Sequence, residues 1–233
     1  MTRRSRSREP QTGAGRLDRE TVIDASLALI AAEGLEGLSM RRLGRALGVE
    51  AMSLYHWFPA KERLLDAVAD RLLAEVMVPP TPSAATWRDW LTAVAQSYRR
   101  VGLAHPRAIP LLAARRLLSH GAVAFLRANI AAHLAAGFSA REALRVTRSL
   151  GAYVNGMVLA EVAPTPPIDS SAGRPASGEP LETRLWDETV AALGAPALDG
   201  AFDYGLACLI DGIERRRPAM DRRGSRAQPQ KPR

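Results

Sequence analysis

The sequence predicts an all-α protein: an N-terminal three-helix helix-turn-helix domain followed by a C-terminal helical bundle. Three observations carry this expectation. No stretch rich in Val, Ile and Thr alternates with period two, and aromatics are only 5% of the chain, so strand signals are missing. Ala, Leu and Arg dominate, and all three favour helix. Apolar residues recur at three- and four-residue spacing in segments that Ser or Asp opens and Gly or Pro closes.

Residues 1–16 are a polar Arg/Ser/Gly tail without periodicity. Asp18 is placed to cap the first helix, along which Val22, Ile23, Ser26, Leu27 and Ile30 repeat up to Glu33 before Gly34 ends it. Leu38 to Lys61, LSMRRLGRALGVEAMSLYHWFPAK, reads as two short helices around a tight turn. Ser39 caps the first, and Leu43, Ala46 and Leu47 give it one apolar face. Gly48 supplies a residue free to take positive φ, Val49 packs inward, and Glu50 to Phe58 form the second helix. A longer helix follows from about Ala60 to Met77, with Leu64, Leu65, Val68, Leu72 and Val76 on one face. The run VPPTPSAAT then breaks the pattern and marks a domain boundary.

Helical spacing resumes at Trp87, Trp90, Leu91, Val94 and Tyr98 and lasts to about Ala104. Pro106 and Pro110 flank a shorter helix reaching Leu118, and a further helix covers Gly121 to Ala136, closed by Gly137. S-A-R-E at Ser139 to Glu142 is a capping box, which opens a helix carrying Leu144, Val146, Leu150, Val154, Met157 and Val158. Residues 163–180, rich in Pro, Gly and Ser, are expected to form a mobile loop long enough to suggest a role near a binding site. Helices over Leu181 to Leu193 and Leu198 to Arg216 complete the chain. The expected organisation is a basic tail at 1–16, a helix-turn-helix domain at 17–77, a helical bundle at 84–217, and a second basic tail at 218–233.

A helix-turn-helix lays its second helix in the major groove of DNA, although the same shape also serves as a plain packing unit. The residue types favour DNA. Ser53, Tyr55, His56 and Trp57 fall within five residues of the second helix, with Lys61 just beyond Pro59. Hydroxyl, imidazole and aromatic groups on a short helix suit base edges and phosphates. Arg41, in the first turn of the preceding helix, is placed to reach a base edge or the backbone, whereas Arg42 and Arg45 read equally well as solvated. Leu54 and Phe58 read as core.

The formal net charge of +8 is unevenly spread. Residues 1–16 carry net +4 and residues 215–233 net +7, which leaves the body at −3. Such tails either add sequence-independent attraction to phosphates or are simply solvated ends. Cys208 is the only cysteine, so no internal disulfide can form, in keeping with a reducing cytoplasm. The N-terminus lacks the apolar core of a secretory signal, and no apolar run approaches the roughly 18 residues of a membrane span. A cytoplasmic protein without a membrane partner is expected.

The chain resembles the TetR family of bacterial transcriptional regulators, in its tetracycline-repressor branch. The resemblance rests on Gly48, Val49, Leu54, Tyr55, Trp57, Phe58, Lys61 and Leu64, and on the segments WRDWLTAVAQSYRR, AHLAAGFSAREALRVTRSLGAYVNGMVL and FDYGLACLIDGIE. It implies DNA contacts at Met40, Arg41, Ala51, Met52, Ser53, Tyr55, His56, Trp57 and Lys61. Ala51 and Met52 stand where the branch has polar residues or Pro, so the operator should differ. The order His56–Trp57 is inverted relative to the branch. The resemblance also implies a homodimer on double-stranded operator DNA, released by a small-molecule effector.

Candidate effector contacts are Met77, Trp90, Val94, Tyr98, Leu111 and Met157, with Pro106 and Pro110 shaping the wall. Trp87, Trp90 and Tyr98 could line a cavity, but aromatics at helical spacing are more often plain core. Met77, Val94 and Ala160 stand at positions that are polar or magnesium-linked in the branch, which implies an apolar or aromatic effector held without a metal or other cofactor. His105, His120 and His133 have no i, i+3 or i+4 pairing, and no P-loop, H-E-x-x-H, G-x-S-x-G or dinucleotide Gly fingerprint occurs, so an enzyme is not expected. Cys208, among Leu206, Ala207 and Leu209, reads as a buried small hydrophobe. Gly151, Gly156, Gly205 and Gly212 suggest close helix approach, either in a dimer interface or within the chain. The alternative function is a helical small-molecule-binding or adaptor protein that does not bind DNA.

Overall fold

The computed structural model describes residues 17–83, 85–114, 119–163, 183–188 and 200–216. All regular structure in these residues is helical. Among the described residues, nine helices are well defined: α1 (Arg19–Glu33), α2 (Met40–Leu47), α3 (Ala51–Tyr55), α4 (Lys61–Ala74), α5 (Trp87–Ala104), α6 (Pro110–Ala114), α7 (His120–Ala135), α8 (Ala140–Val162) and α9 (Ala201–Glu214). Residues 183–188 are also helical.

The caps form where the sequence places them. Asp18 accepts the backbone N–H of Thr21, and Ser39 that of Arg42. Ser139 and Glu142 close a full capping box. The hydroxyl and backbone N–H of Ser139 both bond the Glu142 carboxylate, which holds its pKa below the usual range. Gly48 sits at φ +68°, in the left-handed region that ends α2.

Several boundaries are tighter than the periodicity suggests. The second helix of the motif spans Ala51–Tyr55, because the backbone turns at His56 to bury Phe58. The connecting helix runs Lys61–Ala74 and ends three residues before Met77, whose backbone N–H instead bonds Ser97 Oγ at 2.8 Å. The helix that opens at Pro110 is described as far as Ala114, and the last helix begins at Ala201. The two tails, Leu118, the Pro/Gly/Ser stretch after Ala163 and most of the predicted 181–193 helix lie outside the described residues. Cys208 is exposed, not buried: Leu206 and Ile210 take the inward face of α9. Gly205 meets the Tyr153 side chain of α8 in the same chain, so intrachain packing accounts for it, whereas Gly156 and Gly212 face no such close contact.

α1, α2 and α3 fold over α4 around Val22, Ile30, Leu38, Leu43, Leu54, Phe58, Leu64 and Val68, all essentially inaccessible. α5, α7, α8 and α9 form the larger layer, centred on Trp87, Ala132, Val158, Phe202, Leu206 and Ile210. α4 is common to both, packing on α1 on one side and on α6 and α7 on the other. Polar ties reinforce that seam. Asp70 accepts the Gly121 N–H at the start of α7 at 2.9 Å. The Arg107 guanidinium donates to the carbonyls of Ala31 and Ala32 in the last turn of α1, where the helix dipole favours a cation. Trp90 Nε1 donates to the Pro79 carbonyl at 2.9 Å. Among the described residues, no helix is long and apolar enough to cross a membrane.

Candidate functional site

A five-residue helix has too few hydrogen bonds to stand alone, so tertiary packing must hold α3. Leu54 and Phe58 do this from beneath, both at 0% exposure. Each such burial contributes about 1.5–3 kcal/mol. α2 supports α3 from the side at very short range. A Cβ on Gly44 would lie 2.8 Å from the Val49 carbonyl and 3.2 Å from the Ala51 amide. The Val49 N–H bonds the Gly44 carbonyl at 2.9 Å, which fixes the turn.

The outward surface of α3 presents Met52, Ser53, Tyr55 and His56 to solvent, with Met52 at 73% exposure. Ala51, Trp57 and Lys61 are half-buried at its edges, and Arg41 is exposed on α2. Met40 is different: it is buried, and packs into the core beneath the surface that Arg41 shares. Trp57 stacks edge-on against His56, with ring centroids 5.3 Å apart. Eight of the nine sequence-selected residues therefore come to one surface at least in part, and Met40 does not. Arg42 pairs with Glu33, which removes it from the set of open cations. Sequence reasoning missed Arg19, which donates to the Trp57 carbonyl at 3.2 Å and lies over the Phe58 ring at 4.3 Å. Nothing in a local pattern links residues 38 positions apart.

A second feature lies in the larger layer. A cavity of about 570 Å³ lies between α4, α5, α6, α7, α8 and α9. That is ample for a drug-sized molecule. Its wall is mostly apolar, with Leu91, Val94, Phe125, Leu126 and Leu150 prominent. α4 contributes Ala69 and Leu73 to this wall, while its first residue is Lys61, beside the exposed surface of α3. Of the sequence-selected effector residues, Val94 and Tyr98 line the cavity. Met77, at 57% exposure, does not, because α4 has already ended. Trp90, Leu111 and Met157 pack outside the lining, the first two as buried core.

Of the polar lining, Tyr98 was foreseen and the rest was not. Tyr98 Oη donates to Asn155 Oδ1 at 2.6 Å, and Asn155 Nδ2 donates to the Gly151 carbonyl at 2.7 Å. Asn129 and His133 add a second polar pair, four residues apart on α7. His133 is wholly buried, accepts a 2.8 Å bond from Trp87 Nε1, and has its pKa pushed down to about 4 by burial. Their i, i+4 spacing in an Ala-rich helix was the available signal. Among the described residues, no three His, Cys, Asp or Glu side chains gather as a metal site would need.

Comparison with known proteins adds the following. The model of the family "Bacterial regulatory proteins, tetR family" matches residues 22–68, and that of "Tetracyclin repressor-like, C-terminal domain" matches residues 79–217. The class A tetracycline repressor of transposon 1721, from Escherichia coli, is 34% identical over 209 residues, covering 87% of this chain and 93% of the relative. The crystal structure of TetR from Acinetobacter baumannii AYE superposes with a TM-score of 0.66 at 30% identity, covering 88% of this chain and 100% of that one. A variant of it solved with minocycline gives a TM-score of 0.64 at 28% identity, with 90% and 99% covered.

Proposed function

Because the chain belongs to the TetR family of bacterial transcriptional regulators, we propose that it is a ligand-responsive, DNA-binding transcriptional repressor whose α3 enters the major groove of a palindromic operator. The observation that carries this reading is the continuity of α4. One helix begins beside the exposed surface of α3 and ends in the wall of the cavity. Ser53, Tyr55 and His56 supply base and phosphate contacts, Arg41 reaches in from α2, and Lys61 neutralises a phosphate. Met52 offers an apolar contact such as a thymine methyl group accepts. Met40 supports the surface from within.

The protein acts as a homodimer, its two recognition helices spaced about one turn of DNA apart, roughly 34–36 Å. The exposed strip of α8 and α9, with Gly156, Tyr204 and Cys208, and the half-buried Gly212 beside it, is the surface that supports this assembly. The effector is an apolar or aromatic small molecule bound without a metal. The described lining supports this, since it is mainly hydrocarbon and includes no carboxylate. Effector binding favours a different spacing of the two α3 helices and releases DNA to the extent of its differential affinity.

A non-DNA-binding helical bundle would leave the exposed Ser53, Tyr55 and His56 without a purpose. The test is selection of bound duplexes from a random pool, followed by footprinting. The expected product is two inverted half-sites about one helical turn apart. Absence of any enriched sequence would favour the non-DNA reading.

A further inference from the structure

The wall of the cavity holds a buried donor that no described residue uses. Trp87 Nε1 can only donate, so the ring nitrogen it bonds, His133 Nδ1, must be the acceptor. The neutral imidazole then carries its proton on Nε2. That N–H is buried and has no hydrogen-bond partner among the described residues. An unsatisfied buried donor is costly, and each instance calls for an explanation. His133 stands in the cavity wall, beside Asn129. At the other extreme, Arg148 is exposed where the lining meets solvent and is the only charged side chain in the described lining.

We propose that the effector is an aromatic molecule bearing both a carbonyl-type oxygen, which accepts the His133 Nε2–H, and an anionic group, which pairs with Arg148. The inference rests on the cavity being the effector site. It goes further by fixing the effector's polarity: an acceptor toward the buried His133, an anion toward the exposed Arg148, and an apolar body against Leu91, Val94 and Phe125. The buried imidazole stays neutral down to about pH 4, so the donor persists across the physiological range.

Two probes test this on the full native chain. Anthraquinone-2-carboxylate has ring carbonyls. Anthracene-2-carboxylate has nearly the same shape and the same anion without them. Calorimetric titration should show the quinone binding about tenfold tighter, the effect of satisfying one buried donor. The His133 Nε2–H proton resonance should move downfield with the quinone alone. Arg148→Gln should weaken both carboxylates about tenfold and leave the neutral 2-(hydroxymethyl)anthraquinone unaffected. The native-protein comparison needs no His133 variant, which could unfold by leaving the Trp87 N–H unpaired. Equal affinity of the two carboxylates, or an unmoved His133 resonance, overturns the acceptor assignment while the cavity remains the effector site. Unchanged carboxylate affinity in Arg148→Gln overturns the anion assignment. If the native chain binds none of the three, the effector-site reading falls, and the proposal with it.

Discussion

Lys61 and His133 show how single residues carry different kinds of evidence. Lys61 opens α4 beside the α3 surface, where its charge can displace one counterion from a phosphate. Lys61→Ala should reduce the salt slope of DNA binding by about one and weaken binding to all sequences alike. Tyr55→Phe should weaken it with the slope preserved, because a hydroxyl releases no counterion. Anisotropy titrations over a salt series measure both, and unchanged affinity in both variants would remove them from the interface. His133 instead registers in stability. Its pKa is about 4 folded, against about 6.5 when exposed in the unfolded chain. Between those values the unfolded state binds the extra proton, so stability falls as pH drops from about 6.5 to about 4 and is flat above. The full effect is roughly 3 kcal/mol. Denaturant unfolding at pH 7 and pH 5 should reveal it, and His133→Leu should flatten the dependence even if it lowers the baseline. At this scale the sequence was legible where periodicity decides burial, as at Leu54 and Phe58. It was not legible where two short-range neighbours compete for the same face. Met40 went inward while Arg41 stayed out, and Cys208 went outward because Leu206 and Ile210 claimed the core.

The elements followed their punctuation. Ser39, Gly48 and the Ser139–Glu142 box bracket helices as their chemistry requires, and α1 ends at Gly34. Helix ends set by tertiary contact were harder to read: α4 stops at Ala74 although apolar spacing continues to Val76, because the chain turns toward α5. The α2–α3 corner supplies an element-scale prediction. In a solvent-facing helix, Gly→Ala would stabilise by about 1 kcal/mol. At Gly44 the added methyl would press on the Val49 carbonyl at 2.8 Å, backbone that cannot swing aside. Gly44→Ala should therefore destabilise by about 1–3 kcal/mol and weaken DNA binding by tilting α3. Thermal unfolding checks the sign; a rise in Tm would mean that the corner is looser than described. The α4 seam with α1, α6 and α7, including the Arg107 and Asp70 bonds, had no local signature, since each joins residues more than 50 positions apart.

At the scale of the whole molecule, the account needs two copies and a switch. Tyr204 is 76% exposed on α9, an unusual position for a tyrosine unless something covers it. Sedimentation equilibrium at micromolar concentration should give about twice the 25.2 kDa chain mass, and Tyr204→Arg should shift the species toward monomer. A native monomer would contradict the assembly. The cavity and α3 share α4, so ligand and operator must oppose each other by the same factor in both directions. The two-layer architecture was legible from helix spacing and the VPPTPSAAT break. The cavity was not, because a void belongs to no segment: Val94 and Tyr98 were foreseen, but Asn129, His133 and Arg148 acquire meaning only when α7 and α8 enclose a common space.

Fluorescence anisotropy with a labelled duplex from the region upstream of the gene addresses the central claim most directly. It is run against a shuffled duplex of equal composition, with the native chain and with a Tyr55→Ala, His56→Ala double variant whose helicity is checked by circular dichroism. The account predicts that the native chain prefers the upstream duplex by about a thousandfold or more at physiological salt. It also predicts that the folded double variant loses most of that preference while retaining weak, salt-dependent binding. Equal affinity of the native chain for both duplexes would contradict the account, as would a double variant that discriminates as well as the native chain.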